Sequence, residues 1–252
     1  MKSVFVALAT VGIAVAQMAG TAFAVDGFTD LQKDAIGGIV REYLLKHPEV
    51  LKESLDALQK KEEEQQVSLA KGGIKANADA LFRSPLDYVA GNPDGKITVV
   101  EFFDYNCPYC KRSFPDVMAL IDNEKDVRVV LKEFPILGDN STFASKAAIA
   151  AKKQGKYLEL HKAMFRVEGR VDPARVLSIA KSIGLDLDQL QKDMQASDID
   201  APIKQDLELS SKLGINGTPT FIIGDQLSPG AVGLDVLKSQ IASVRLNGCA
   251  VC

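Results

Sequence analysis

Tryptophan is absent from this sequence and only two histidines occur, which argues against a metal centre built on several imidazoles. Charge of one sign is also lacking. Lys and Arg number 30 against 33 Asp and Glu, a net charge of -3, and that balance gives no sign of a nucleic-acid partner. Beyond residue 24 no apolar run approaches the length needed to span a bilayer. There is no internal repeat. Cysteine is scarce: four residues in two Cys-x-x-Cys pairs, Cys107/Cys110 and Cys249/Cys252. The chain is long enough for one sizeable core and a smaller element beside it.

What is present centres on residues 97–111. Ile97 to Phe103 is a run of β-branched and aromatic residues, the pattern of a buried strand. A polar break, Asp104 to Asn106, leads into Cys107-Pro108-Tyr109-Cys110, and apolar residues at Phe114, Val117, Met118 and Ile121 continue as a helix. Cys107 thus falls at a helix N-terminus, where unpaired N–H groups and the helix dipole favour a thiolate. Its pKa is expected to be lowered, making it the nucleophile. Cys110 lies one turn on, placed to close a disulfide with Cys107, and Pro108 suits the first helical turn. Half of a zinc site would need two more ligands nearby, and a disulfide closing so short a loop stabilises little, so the setting favours dithiol redox chemistry.

Three stretches in order, Glu101 to Lys111, Lys132 to Gly138 and Gly217 to Phe221, resemble the DsbA family of thioredoxin-fold proteins. The likeness is greatest to the ScsC/Com-type subgroup of bacterial envelope thiol–disulfide oxidoreductases, which carry an added N-terminal helical segment. It runs from about Phe28 to Leu246. The resemblance implies that Thr218 and Pro219 face the nucleophilic cysteine and bind substrate; a proline before a buried strand is also a candidate cis peptide. Strand-to-strand pairing with Thr218 would hold an extended substrate. It implies too that Glu101 lies beneath the cysteine pair and moves protons, the alternative being a carboxylate paired with Lys132 on the next strand. Pro108 and Tyr109 tune the thiolate without settling the direction of exchange.

The remaining pattern is α/β: a thioredoxin fold with an inserted helical domain, preceded by an N-terminal helical segment. Residues 1–24 read as a secretory signal, with Lys2, an apolar core from Val4 to Ala16 and a small-x-small site at Ala22-Phe23-Ala24. Residues 25–75 form the helical, oligomerising segment. Thr29 and Gln32 make a capping box, Leu31, Ile36, Ile39, Tyr43 and Leu44 an apolar stripe, and Gly72-Gly73 a weak point. Residues 76–95 are expected to be a linker with an edge strand at 86–90. The catalytic domain covers 96–247, with helices inserted at about 140–213, a strand at 220–223 with a hairpin partner at 226–227, and a closing helix at 233–246. Residues 248–252 are a Cys-x-x-Cys tail, read as a mostly structural disulfide.

The expected function is that of a periplasmic protein thiol:disulfide oxidoreductase, an isomerase or reductase, using the Cys107–Cys110 pair and no other cofactor or metal. Its partners would be cysteine-containing envelope proteins, a membrane thiol-redox protein of the DsbD/ScsB type, and further copies of itself, as in a trimer. The alternatives are a monomeric dithiol oxidase of the DsbA type and a copper-binding or copper-tolerance envelope protein, since soft sulfur suits Cu(I).

Overall fold

The structure, a computed structural model, describes residues 27–249. The expected signal at 1–24 and Cys252 lie outside them. The chain divides into two compact units, with the boundary between Leu58 and Gln59.

The first unit contains helix α1 (Asp30–Lys46) and the start of α2 (Glu49–Ala76). Thr29 and Gln32 form the capping box, each side chain meeting the other's backbone N–H. No residue of α1 is buried, and all of the apolar stripe but Leu44 is exposed.

Gly72 and Gly73 do not weaken α2, which runs unbroken to Ala76. Tertiary packing overrides their low propensity. Ile74 is fully buried, and the bare Gly73 lets the Leu213 side chain approach to 3.2 Å of where a Cβ would stand. The N-terminal helical segment expected at 25–75 is therefore not a separate piece as far as residue 75. Nor is 76–95 a linker. It holds α3 (Ala78–Phe82), whose Leu81 and Phe82 are buried, and strand β1 (Tyr88–Gly91).

The core sheet continues with β2 (Ile97–Phe103), helix α4 (Pro108–Asn123) and β3 (Val127–Glu133). Five helices follow without a strand: α5 (Asp139–Lys153), α6 (Tyr157–Phe165), α7 (Pro173–Ser182), α8 (Leu187–Asp193) and α9 (Asp200–Lys212). Then come β4 (Thr220–Ile223), β5 (Gln226–Pro229) and α10 (Leu234–Asn247). The strand order is β1-β3-β2-β4-β5. Only the β2–β3 pair, joined by the α4 crossover, is parallel. This is the thioredoxin arrangement with helices inserted after β3, as the sequence pattern indicates. At the turn before β2, Gly95 passes so close to Val127 that a Cβ would stand 2.7 Å from its carbonyl carbon.

Every residue of β2 is buried, because the sheet is covered on both faces. Val99, Phe103, Leu131 and Phe221 pack with α4 and the inserted helices. Val100, Phe102, Val130 and Ile222 pack on the other side with Phe82, Leu209 and Ile74. Lys132 is fully buried on this second side. Its ammonium is paired with Asp87, lies 3.3 Å from Asp206 and donates to the Ala80 carbonyl at 2.6 Å. Burial raises the pKa of both carboxyls while Lys132 opposes the rise.

Replacing Lys132 with Met would leave two buried carboxyls without their cation. The expected loss of unfolding free energy is about 3–5 kcal/mol at neutral pH. The loss should shrink as pH falls and the carboxyls take up protons, and urea unfolding across that range measures both.

Candidate active site

Strand β2 delivers the chain into a turn, and α4 starts beyond it. Asp104 is fully buried, and its carboxylate holds the turn. One oxygen accepts from the Asn106 N–H at 2.7 Å and from the Ser141 hydroxyl at 2.7 Å; the other accepts from the Leu137 N–H at 3.0 Å. The Asn106 amide reaches further. Its oxygen accepts from the Val171 N–H at 2.7 Å, and its nitrogen donates to the Val171 carbonyl at 3.2 Å and to Ser141 at 3.1 Å. The side chain thus pairs like a short strand with the loop before α7. Cys107 then occupies the N-cap of α4 and Pro108 its first turn.

Both cysteines are free thiols and both are buried, Cys110 completely. Pro108 and Tyr109 between them are exposed, and the Arg112 guanidinium lies over the Tyr109 ring at 4.8 Å from its centre. The Cys107 thiol donates to the Thr218 carbonyl at 3.1 Å. The Thr218–Pro219 peptide bond is cis, and Pro219 is buried. Residues 107, 110, 218 and 219, far apart in the chain, therefore meet.

The two thiols differ sharply. Cys107 is pulled down to about 5, chiefly by a hydrogen bond from the Cys110 thiol, with the Thr218 side chain and the backbone N–H groups of Cys110 and Tyr109 adding to it against partial burial. Burial, then its bond to Cys107, then the Glu101 carboxylate push Cys110 far above the ordinary thiol range. The helix N-terminus contributes as expected from the sequence, but the partner thiol contributes more.

Glu101 sits in register with Leu131 on β3 and Phe221 on β4, on the face that carries the cysteines. Lys132 pairs with Phe102 and faces the other way. The alternative reading, a Glu101–Lys132 pair, is therefore wrong: one step along the strand turns the side chain to the opposite face. Burial, and next the nearby Cys107 charge, raise Glu101 to about 8, so it holds its proton at neutral pH.

A polar cluster unseen in the sequence lies behind the turn. Tyr105 and Tyr157 both donate to one oxygen of Glu133, at 3.1 and 2.6 Å, and the Tyr105 hydroxyl lies 3.0 Å from the His161 ring nitrogen. Burial lifts Glu133 to about 8 and drops His161 to about 3, so both are neutral near pH 7. Asp104, Asn106 and Ser141 were equally invisible as a set, because no local pattern links positions 35 and 65 residues apart. Among the described residues no group of three or more His, Cys, Asp or Glu is placed to hold a metal ion. In the tail, Cys249 is disulfide-bonded.

The chemistry open to this arrangement is exchange. The Cys107 thiolate attacks one sulfur of a disulfide; a new S–S bond forms, the old one breaks, and the departing thiolate takes a proton. Cys110, once deprotonated, attacks Cys107 and frees the substrate. The pair ends oxidised and the substrate reduced by two electrons, and the reverse sequence donates a disulfide. A chain with this sheet, thiol pair and proline loop is a thioredoxin-fold thiol–disulfide oxidoreductase.

Comparison with known proteins gives the family. Residues 98–242 match the DSBA-like thioredoxin domain, and the chain belongs to that family. Residues 32–65 match the copper resistance protein ScsC N-terminal domain. A thioredoxin-like oxidoreductase from Silicibacter pomeroyi DSS-3 is 48% identical, with a TM-score of 0.65 over 67% of this chain and 97% of that one. A linker-deleted ScsC of Proteus mirabilis is 30% identical, with a TM-score of 0.67 over 89% and 100%. The thiol-disulfide exchange protein alpha-DsbA2 of Wolbachia pipientis is 31% identical, with a TM-score of 0.68 over 71% and 98%. Curated relatives include the Na(+)/H(+) antiporter NhaA 3 of Salinispora tropica, 30% identical over 64% of this chain, but the match spans only 26% of that protein. No helix among the described residues is long and apolar enough to cross a membrane.

In the reduced protein, thiolate absorbance should titrate with a midpoint near 5 at Cys107, while Cys110 stays protonated through neutral pH. At pH 6 iodoacetamide should therefore label Cys107 alone, the rate falling as pH drops through the midpoint. Because the folded thiol ionises well below its ordinary value of 9.0, the reduced form should gain stability as pH rises from about 5 toward 9 and lose it on acidification. Mass spectrometry of labelled peptides and urea unfolding at several pH values read the two effects.

Proposed function

We propose that the chain is a periplasmic protein disulfide isomerase or reductase that acts as a homo-oligomer, such as a trimer, on cysteine-containing envelope proteins. Cys107 attacks and Cys110 resolves. Glu101 exchanges the proton that Cys110 must lose, Thr218 and Pro219 hold the client segment, and Pro108 and Tyr109 tune the thiolate. The reactive group is the disulfide the pair itself forms, with no other cofactor. A membrane thiol-redox protein of the DsbD/ScsB type keeps the pair reduced, and export through the Met1–Ala24 signal brings it to that compartment.

One observation carries this reading. Leu31, Ile36, Ile39, Tyr43, Leu51 and Leu55 stand exposed on the first unit, a large apolar surface for a soluble helical pair. Copies of the chain covering that surface would gather several thiol pairs around one misfolded client. The match of residues 32–65 to an ScsC N-terminal domain supports it. The structure also sets where to cut. Removing residues up to 75 would take Ile74 out of the core, whereas removing 25–58 spares it. The 25–58 deletion should give a monomer by light scattering. It should keep dithiol oxidation of reduced ribonuclease and lose most of its ability to reshuffle scrambled ribonuclease. A full-length monomer, or a truncated form that still isomerises, would transfer the reading to a DsbA-type oxidase or reductase.

A second reading has one observation behind it: the matching N-terminal domain is described as that of a copper resistance protein. Thiolates are apt ligands for Cu(I). Cys107→Ser should abolish disulfide exchange under the first reading. Retention of stoichiometric Cu(I) by that variant, measured by competition with a chromogenic chelator, would favour a metal site in the tail.

A further inference from the structure

Cations gather on one side of the thiol pair. Lys111 and Arg112 follow the cysteines on α4, and the loop from α6 into α7 brings Arg166, Arg170 and Arg175. The four arginines are exposed and Lys111 is half-buried.

The loop is fastened to the reacting turn. Lys111 donates to the Val167 carbonyl at 2.9 Å and to the Gly169 carbonyl, and Asn106 pairs with Val171. Residues 167, 169 and 171 are thus bonded to the segment that carries Cys107, while Glu168 and Arg170 between them stay at the surface. Arg175 braces the loop from α7, donating to the Glu168 carbonyl at 2.5 Å. Arg112 lies over the exposed Tyr109 ring. These charges therefore hold set positions about the thiols.

Elsewhere on the surface cations meet carboxylates: Arg245 reaches Glu124 and Asp126, Lys146 reaches Asp200, and Lys153 reaches Asp198. None of the five rim cations forms an ion pair among the described residues. Of the two acids in the loop, Asp172 is taken up in capping α7, where it accepts from the Arg175 N–H at 2.9 Å. Partial burial, and next the Arg175 charge, lower the pKa of Lys111, as crowding of like charges requires. The whole chain carries a net charge of -3, so this excess of cations is local.

We propose that this rim docks a folded thiol protein whose surface around its own cysteine pair is acidic. The proposal rests on the exchange function and deepens it by naming the chemistry of the partner. Charges held at set positions select a surface whose charges are also fixed, which an unfolded segment does not offer. Opposed charge raises the encounter rate and sets the orientation in which the two cysteine pairs meet. A donor thiolate then attacks the Cys107 sulfur of the oxidised pair. The donor–Cys107 bond forms, the Cys107–Cys110 bond breaks, and Cys110 leaves as a thiolate and takes a proton. The donor's second thiol loses its proton, attacks the donor sulfur of the mixed disulfide and frees Cys107. The donor ends oxidised and this pair reduced by two electrons.

The test uses the full chain with its pair oxidised and a small thioredoxin domain as electron donor. One form of the donor has glutamates around its cysteine pair, the other glutamines in their place. This chain has no tryptophan, so a tryptophan beside the donor's cysteines reports the donor's oxidation alone. At about 20 mM salt the glutamate donor should react about tenfold faster, and the ratio should fall toward one by about 500 mM. Arg166→Glu combined with Arg170→Glu should bring the low-salt ratio to one or below. Arg166→Lys combined with Arg170→Lys, which keeps the charge, should preserve it. The ratio is taken within each variant, so a general loss of activity cancels.

A wild-type ratio near one at low salt, or a ratio that survives the charge reversals, would overturn the proposal. So would arginine-dependent binding to phosphatidylglycerol vesicles without a preference between donors, which assigns the rim to a lipid surface. Dithiothreitol separates this outcome from the exchange function. If it reduces the Cys107–Cys110 disulfide while neither donor does, the docking rim falls and exchange stands. If none of the three thiols reduces the pair, the exchange function falls and the rim with it.

Discussion

Strand β2 must be covered on both faces, and much of the architecture follows from that constraint. Its seven residues are all buried. One face is closed by α4, the inserted helices and α10; the other by α3, α9 and the last turn of α2. A strand so enclosed ends where the enclosure ends, and there the chain turns into α4 with Cys107 at its cap. The thiols are thus reactive groups at the rim of a dry core. Glu101 lies inside that core because alternation along β2 assigns it to the cysteine face.

The asymmetry of the thiols is a consequence of depth. Cys107 collects donors from the N-terminus of α4, from the Thr218 side chain and from its partner thiol, while Cys110, a turn further in, meets mainly desolvation. The two shifts reinforce each other, because the proton Cys110 retains is the one it offers to the Cys107 thiolate. Glu101 keeps its own proton for the related reason that a second charge beside Cys107 would be buried.

Polar groups also tie the inserted helices to the reacting centre. Asp104 and Asn106, immediately before Cys107, reach residue 137, α5 and the loop before α7. Just behind them, Tyr105, Glu133, Tyr157 and His161 share one buried network between the sheet and α6. The insertion is therefore bonded to the turn that presents the nucleophile, and displacement of one would disturb the other. On the far face Lys132 bridges Asp87 and Asp206, fastening β1 and α9 to β3.

The sequence by itself determined the elements and the chemistry that depend on neighbours along the chain. The apolar run 97–103, the Cys-Pro-Tyr-Cys junction, the helical periodicities between 140 and 213 and the Thr218-Pro219 turn each carry a local signal, and the structure places elements at all of them. Local rules misled where distant contacts compete. Two adjacent glycines looked like a weak point in α2, but burial of Ile74 and the fit of Leu213 against Gly73 carry the helix through. The stretch 76–95 looked like a linker because its turn residues are conspicuous, while the pairing of β1 with β3 and of Asp87 with Lys132 has no signature in sequence. Only the tertiary structure decided that Glu101 and Lys132 face opposite ways, that Asn106 meets Val171, and that Lys111 reaches the loop before α7. The physical reason is common to all three. Helix capping, alternation and turn chemistry act over a few residues, whereas burial and hydrogen-bond satisfaction act between residues that only the folded sheet brings together.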